Sequence, residues 1–120
     1  MRLLLSGMLL LSFCACTSRT ENIQGVDWDV WKNDRGACNN QRAQFQELLT
    51  QQKDKLKSLS EMDIVSLLGK PDQNELYKRN QKFYYYLLTP GPGCPQPDSA
   101  ARRLIVRFNA IGLAKEISIE

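Results

Sequence analysis

The sequence predicts an α+β domain in which two N-terminal helices pack on one face of a three-stranded antiparallel sheet. Three observations carry that prediction. Between residues 38 and 59, apolar side chains recur at helical spacing. Residues 60–72, SEMDIVSLLGKPD, hold the start and stop signals of a second, shorter helix. Beyond residue 72 the pattern changes to aromatic and β-branched runs separated by Pro and Gly, which is the signature of strands and turns.

The chain has 120 residues, room for one domain, and its first fifteen read as a cleaved leader. Arg2 supplies a positive start, residues 3–11 an apolar run too short to cross a bilayer, and Cys14-Ala15-Cys16 follows closely. Small residues before a cysteine resemble the lipobox of bacterial lipoproteins, which makes Cys16 the expected acylation site and the mature N-terminus. Acylation at Cys14 would instead put the bulky Phe13 at the cleavage position. An ordinary cleaved leader with a chance cysteine is the alternative. Residues 16–36 then form the lipidated N-terminus and a tether, polar and aperiodic from 17 to 26, and residues 37–120 form the domain. Thr17, where an aspartate would resemble an inner-membrane retention signal, favours the outer membrane. The absence of an acidic run in the tether favours its periplasmic face.

Trp28 and Trp31 precede Asp34, a candidate N-cap, and one of the two indoles is expected to pack on the core near Cys38. Cys38, Phe45, Leu48, Leu49, Leu56 and Leu59 then mark an amphipathic helix of about five turns. Arg42 falls on its apolar stripe, either as a buried ion-pair partner of Asp34 or, the favoured reading, as a snorkelling side chain at the stripe's edge. For the second helix, Ser60 is the N-cap, Asp63 completes a capping box, and Leu59 can staple onto Ile64. Gly69 and Pro71 stop it.

Residues 73–81 are rich in turn formers, with a weak strand signal at Leu76 and Tyr77. KFYYYLL at 82–88 is a strand, bounded by the Pro/Gly loop that carries Cys94. RLIVRF at 103–108 alternates, with Leu104, Val106 and Phe108 on one side and Ile105 and Arg107 on the other. Asn109 and Gly112 fit a tight turn into a last strand over 113–119.

Export would deliver Cys38 and Cys94 to an oxidising compartment, where an even pair reads as a disulfide. A catalytic thiol is the competing reading, but it needs a base, and the chain has no histidine. The same lack excludes the usual zinc sites and Ser/His/Asp triads. Asp27/Asp29 and Glu61/Asp63 sit at loop or cap positions, and Gly69-Lys70 lacks the earlier glycine of a phosphate loop. The net charge of +3 is too small for a nucleic-acid partner. No enzymatic activity, no metal, no cofactor and no small-molecule substrate are expected.

An exported chain with Leu67-Leu68-Gly69-Lys70-Pro71-Asp72 closing a capped helix, an aromatic strand, and Leu104-Ile105-Val106-Arg107-Phe108 turning into Leu113 resembles the SmpA/OmlA, or BamE-like, lipoproteins over roughly residues 38–119. The resemblance implies two helices on a three-stranded sheet and a binding module of the kind found in outer-membrane β-barrel assembly. The architecture is also that of secreted β-lactamase inhibitors. The Trp-bearing segment DWDVWKNDRGAC and the Cys38/Cys94 pair depart from the assembly-machine members.

Four consecutive aromatics, Phe83, Tyr84, Tyr85 and Tyr86, must divide between the two sheet faces. With Phe83, Tyr85 and Leu87 taken as core on grounds of apolarity, Tyr84, Tyr86 and Arg107 become the expected partner-binding residues on the uncovered face. Lys78, Arg79, Lys82, Arg102 and Arg103 join Arg107 in a basic cluster that suits anionic headgroups, an acidic partner or plain solvation. The expected function is therefore that of a lipid-anchored periplasmic protein-binding module, a scaffold or accessory factor in envelope assembly or maintenance. The alternative is an inhibitor-like protein that blocks a periplasmic or extracellular enzyme through its open sheet face.

Overall fold

The computed structural model describes residues 23–120. Cys16, the leader and the first part of the tether lie outside the described residues. The fold is α+β, with short helices on one side of a four-stranded antiparallel sheet in the order β1-β2-β3-β4. The strands are β1 Gln73–Leu76, β2 Lys82–Leu87, β3 Arg103–Phe108 and β4 Ala114–Ile119. The expected three strands are β2 to β4, and β1 is the addition. Its sequence, QNEL, is exposed along its whole length, so no burial periodicity marks it. Backbone pairing with β2 in the register Gln73 with Tyr85 through Leu76 with Lys82 makes it a strand.

Among the described residues the packing reaches back past residue 37 to Ile23, which is buried. Helix α1, Trp28–Asn33, is capped by Asp27, whose carboxylate accepts from the Asp29 and Val30 amides. It brings Trp31 to full burial. The single helix expected from Cys38 is instead a tight turn followed by a three-part helical run. The cause is Asp34, 2% exposed, whose carboxylate accepts from the backbone N–H groups of Asn39, Gln41 and Arg42 at 2.8, 2.8 and 3.3 Å. That fold-back, with Asn40 at φ 58°, delays the helical run to Arg42. It then passes through a 3-10 turn at Arg42–Phe45, α2 at Gln46–Gln52 and a second 3-10 turn at Lys53–Leu56. Arg42, Phe45, Leu49 and Leu56 are its buried stripe.

Helix α3, Glu61–Leu68, forms as its sequence dictates: Ser60 and Asp63 exchange capping-box hydrogen bonds, and Gly69 ends it at φ 83°. Its C-terminal carbonyls find partners from elsewhere in the chain. Lys32 Nζ donates to Ser66 O at 2.9 Å, Trp31 Nε1 to Leu68 O at 2.9 Å, and Tyr86 Oη to Gly69 O at 2.8 Å. One helix end thus ties α1, α3 and β2 together. The core lies between the helices and one sheet face, with Trp31, Leu49, Leu56, Ile64, Leu68, Tyr86, Leu104, Val106 and Phe108 fully or almost fully buried.

Arg42 does not snorkel. Its side chain is 1% exposed, and its ion-pair partner is Asp72 at 2.6 Å rather than Asp34. Its Nε donates to Trp31 O at 2.9 Å, and its guanidinium lies 4.6 Å from the Trp31 ring centroid. Asp72 also accepts from the Gly36 and Leu87 amides, each at 2.8 Å. The residue that follows the helix-stopping proline is therefore the hub where the loop at Gly36, the helical run and β2 meet. Beside it, Cys38 and Cys94 form a disulfide, and the Gly91 amide donates to Gly36 O at 3.0 Å.

Candidate functional site

The parity of β2 decides which side chains are available to a partner, and it is opposite to the expectation. Tyr86 is fully buried, and Tyr84 packs against the core with its ring 4.7 Å from that of Phe108. Neither stands on the open face. Apolarity ranks a tyrosine as the poorer core residue only when its hydroxyl goes unpaired. Here Tyr86 Oη has the helix-end carbonyl of Gly69, and Tyr84 Oη donates to Glu61 Oε1 at 3.0 Å. Leu88, one residue beyond the strand and on the same side, is also fully buried. Burial raises the Tyr86 hydroxyl far above its ordinary pKa. It also raises that of Tyr84, with the hydrogen bond to Glu61 adding to the shift.

Phe83, Tyr85 and Leu87 consequently face the side the helices leave uncovered, where Phe83 is half-buried while Tyr85, Leu87 and Ile105 are buried among their neighbours, Leu87 against Gly91 and Tyr85 under the Arg103 guanidinium. Cross-strand pairing places them in rows with β3: Phe83 beside Arg107, Tyr85 beside Ile105 and Leu87 beside Arg103. On β4 the rows continue with Glu116 and Ser118. Arg107 is where parity predicts it, on this open face, with its guanidinium on Glu116 Oε2 at 3.0 Å. Arg103, noticed in the sequence only as part of a basic cluster, has a more definite place. Its guanidinium lies 4.3 Å from the centroid of the Tyr85 ring.

The surface is ordered by its own contacts. The Phe83 and Tyr85 rings stack at 6.3 Å, and Tyr77 meets Phe83 edge-on at 5.1 Å. Tyr85 Oη donates to Glu75 Oε2 at 3.0 Å. Burial, and then the Glu75 carboxylate, raise the Tyr85 pKa, with the Arg103 charge opposing. A shallow depression of about 200 Å³ sits among Phe83, Tyr85, Ile105, Arg103 and Arg107. At its Arg103 end the face runs into a longer groove of about 690 Å³ under the Pro/Gly loop, lined by Leu87, Pro92, Pro97 and Asp98. Aromatic rings carrying flat, pre-placed guanidinium groups contribute contact area with little side-chain entropy left to lose, a composition enriched at protein interfaces.

Lys82, expected in the basic cluster, pairs with Glu61 at 3.1 Å on the helix side, so that cluster is divided between two faces. Among the described residues no group of His, Cys, Asp and Glu side chains has the arrangement to hold a metal ion. No described helix is long and apolar enough to cross a membrane.

The described residues define a small α+β domain with one sheet face covered by helices and one left open. No family profile and no curated protein matches the sequence. Among solved structures, that of an osmotically inducible lipoprotein, OsmE, aligns over 78% of this chain and 84% of its own, with 15% identity and a TM-score of 0.41. A likeness at that level assigns no role.

Proposed function

We infer that this chain is a lipid-anchored envelope protein that binds a protein partner through the open face of its sheet, as a scaffold or accessory factor at the periplasmic side of the outer membrane. The observation that supports the binding role is the pre-ordered face of Phe83, Tyr85, Arg103, Ile105 and Arg107, set back to back with a core in which every buried side-chain N and O of the described residues has a hydrogen-bond partner. The anchor rests on Cys16 and the leader before it. Tyr84 and Tyr86, named from the sequence for partner binding, act instead in stability, and Arg107 keeps the role proposed for it.

The test is crosslinking in cells from a photoreactive residue placed at Phe83, with one at Val65 on the outer side of α3 as the control. Discrete crosslinks to an envelope protein are expected from position 83 and none from position 65, with the protein moving from the membrane to the soluble fraction in a Cys16→Ala background. Crosslinks from position 65 alone would assign binding to the helices. Wild-type protein without acyl chains by mass spectrometry would remove the anchor. A crosslinked partner that is a hydrolase, and whose activity falls when the purified domain is added, would identify the inhibitor-like alternative.

A further inference from the structure

The two edges of the sheet are treated differently. Just past β2, the Leu88 amide bonds to Arg102 O, so the backbone groups of residues 82, 84, 86 and 88 point toward β3 and those of 83, 85 and 87 toward β1. The pairing at the other end of β1, Tyr77 N to Gln81 O at 2.7 Å, gives the same alternation. Gln73 and Glu75 therefore spend their backbone groups on β2, while the N–H and C=O of Asn74 and Leu76 point out of the sheet. No described residue bonds to those four groups.

At the opposite edge, by contrast, the outward groups of β4 are occupied from Ala114 to the Ile117 carbonyl. Ser58 N donates to Ala114 O, Ala114 N to Leu59 O, and Lys53 Nζ to Ile117 O at 3.1 Å. The first half of one edge is covered by the segment before α3, and the other edge is open along its whole length as a template for a further strand.

We propose that the outer edge of β1 docks an extended segment of a partner protein, which pairs with Asn74 and Leu76 as a fifth strand and carries alternating apolar and basic side chains. Strand alternation puts Leu76, 69% exposed, on the helix side and Glu75 on the open side. An incoming strand therefore meets Asn74 and the apolar Leu76 opposite its inward-pairing residues and a carboxylate opposite the residue between them. Glu75 keeps one carboxylate oxygen on Tyr85 Oη and makes no ion pair among the described residues.

A second copy of the chain is a poor occupant. In the antiparallel register that pairs Asn74 with Leu76 of the other copy, Glu75 faces Glu75, and like charges directly opposite destabilise a ladder. The carboxylate that repels a second copy selects for a basic strand. The short, prolineless, bulge-free edge limits the pairing to the reach of two residues' backbone groups. The inference rests on sheet topology and stands apart from binding at the open face.

The experiment uses the protein purified as the cell makes it and, as probe, a blocked seven-residue peptide of alternating valine and lysine. Nuclear magnetic resonance should show the Asn74 and Leu76 amides exchanging quickly in the free protein and slowing when the peptide is added. N-methylation of the valines, whose amides face β1 in this register, should weaken binding by roughly tenfold or more, through the lost ladder hydrogen bonds and the added bulk, whereas N-methylation of the lysines should spare it. Glu75→Lys should reverse the preference toward a valine and glutamate peptide. If that variant does not fold, the two N-methylated peptides decide the matter on the wild-type protein. Equal binding of both, exchange protection elsewhere on the sheet, or self-association through Asn74 and Leu76 would overturn the proposal.

Discussion

Asp72→Ala is expected to lower the melting temperature by about 15–30 °C, the fall that ~3–5 kcal/mol produces in a domain of about 100 residues. The carboxylate is the counter-charge of Arg42, whose side chain is 1% exposed, and it also holds the Gly36 and Leu87 amides. Its removal leaves the Arg42 guanidinium with hydrogen bonds to the Trp31 and Leu87 carbonyls but no ion-pair partner, the buried Asp34 carboxylate being held by backbone amides instead. A buried cation without a partner is among the costliest defects a core can carry. Arg35, 56% exposed and 3.9 Å from Asp72, is a minor partner of the same carboxylate, and its own loss should cost little. Asp72→Asn, which keeps an acceptor but loses the charge, should fall between alanine and wild type. A melting temperature for Asp72→Ala within a few degrees of wild type would show that the hub is not where the fold is secured.

Loss of the Cys38–Cys94 disulfide is the second large effect. The bridge spans a sequence separation of 56 residues and ties the turn before the helical run to the loop after β2. For a loop of that length the chain-entropy model gives about 4 kcal/mol, a large share of the ~5–15 kcal/mol that holds a domain together. The pair Cys38→Ala/Cys94→Ala, or reduction of the wild type, should therefore bring a fall in melting temperature comparable to that of Asp72→Ala. The Gly91 to Gly36 hydrogen bond alone cannot replace the covalent closure. Peptide maps under non-reducing and reducing conditions should differ by this one linkage. Free thiols at both positions, in protein recovered from an oxidising compartment, would contradict it.

Local signals in the sequence foretold the structure wherever a side chain acts on its own neighbourhood. Ser60, Asp63 and Gly69 bound α3 because capping and left-handed closure involve residues a few positions apart. The alternation of Leu104, Val106 and Phe108 placed Arg107 on the open face because a single strand fixes its own parity. The misplaced features all depend on distant partners. Asp34 reaches amides five to eight residues ahead and turns the expected helix start into a fold-back. Asp72 lies 30 positions from Arg42, so the charge on the apolar stripe reads as a snorkelling side chain, with the nearer Asp34 as the only counter-charge in view.

The aromatic strand shows the same limit most plainly. Four rings in a row leave parity to be decided by what each hydroxyl meets. Tyr86 is inside because Gly69 O, 17 positions earlier in the chain, waits at the end of α3. The strand β1 was nearly silent in the sequence for a related reason. A fully exposed edge strand has no buried side to impose a period of two.

The claim that the open face binds and the covered face stabilises is tested most directly by measuring melting temperature and crosslinking from position 83 on two variants together. Arg103→Ala/Arg107→Ala removes the two guanidinium groups that lie over the open face, and Tyr86→Phe removes only the hydroxyl that reaches Gly69 O. The first, whose half-buried guanidinium groups lie on Tyr85 and Glu116, should lose about 1 kcal/mol per side chain and melt roughly 5–15 °C below wild type, yet lose its crosslinks, since an interface anchor can be worth ~2 kcal/mol or more. The second should lose about 1 kcal/mol of stability and keep its crosslinks. Undiminished crosslinking by the arginine variant, or its loss in Tyr86→Phe alone, would contradict the assignment of the open face.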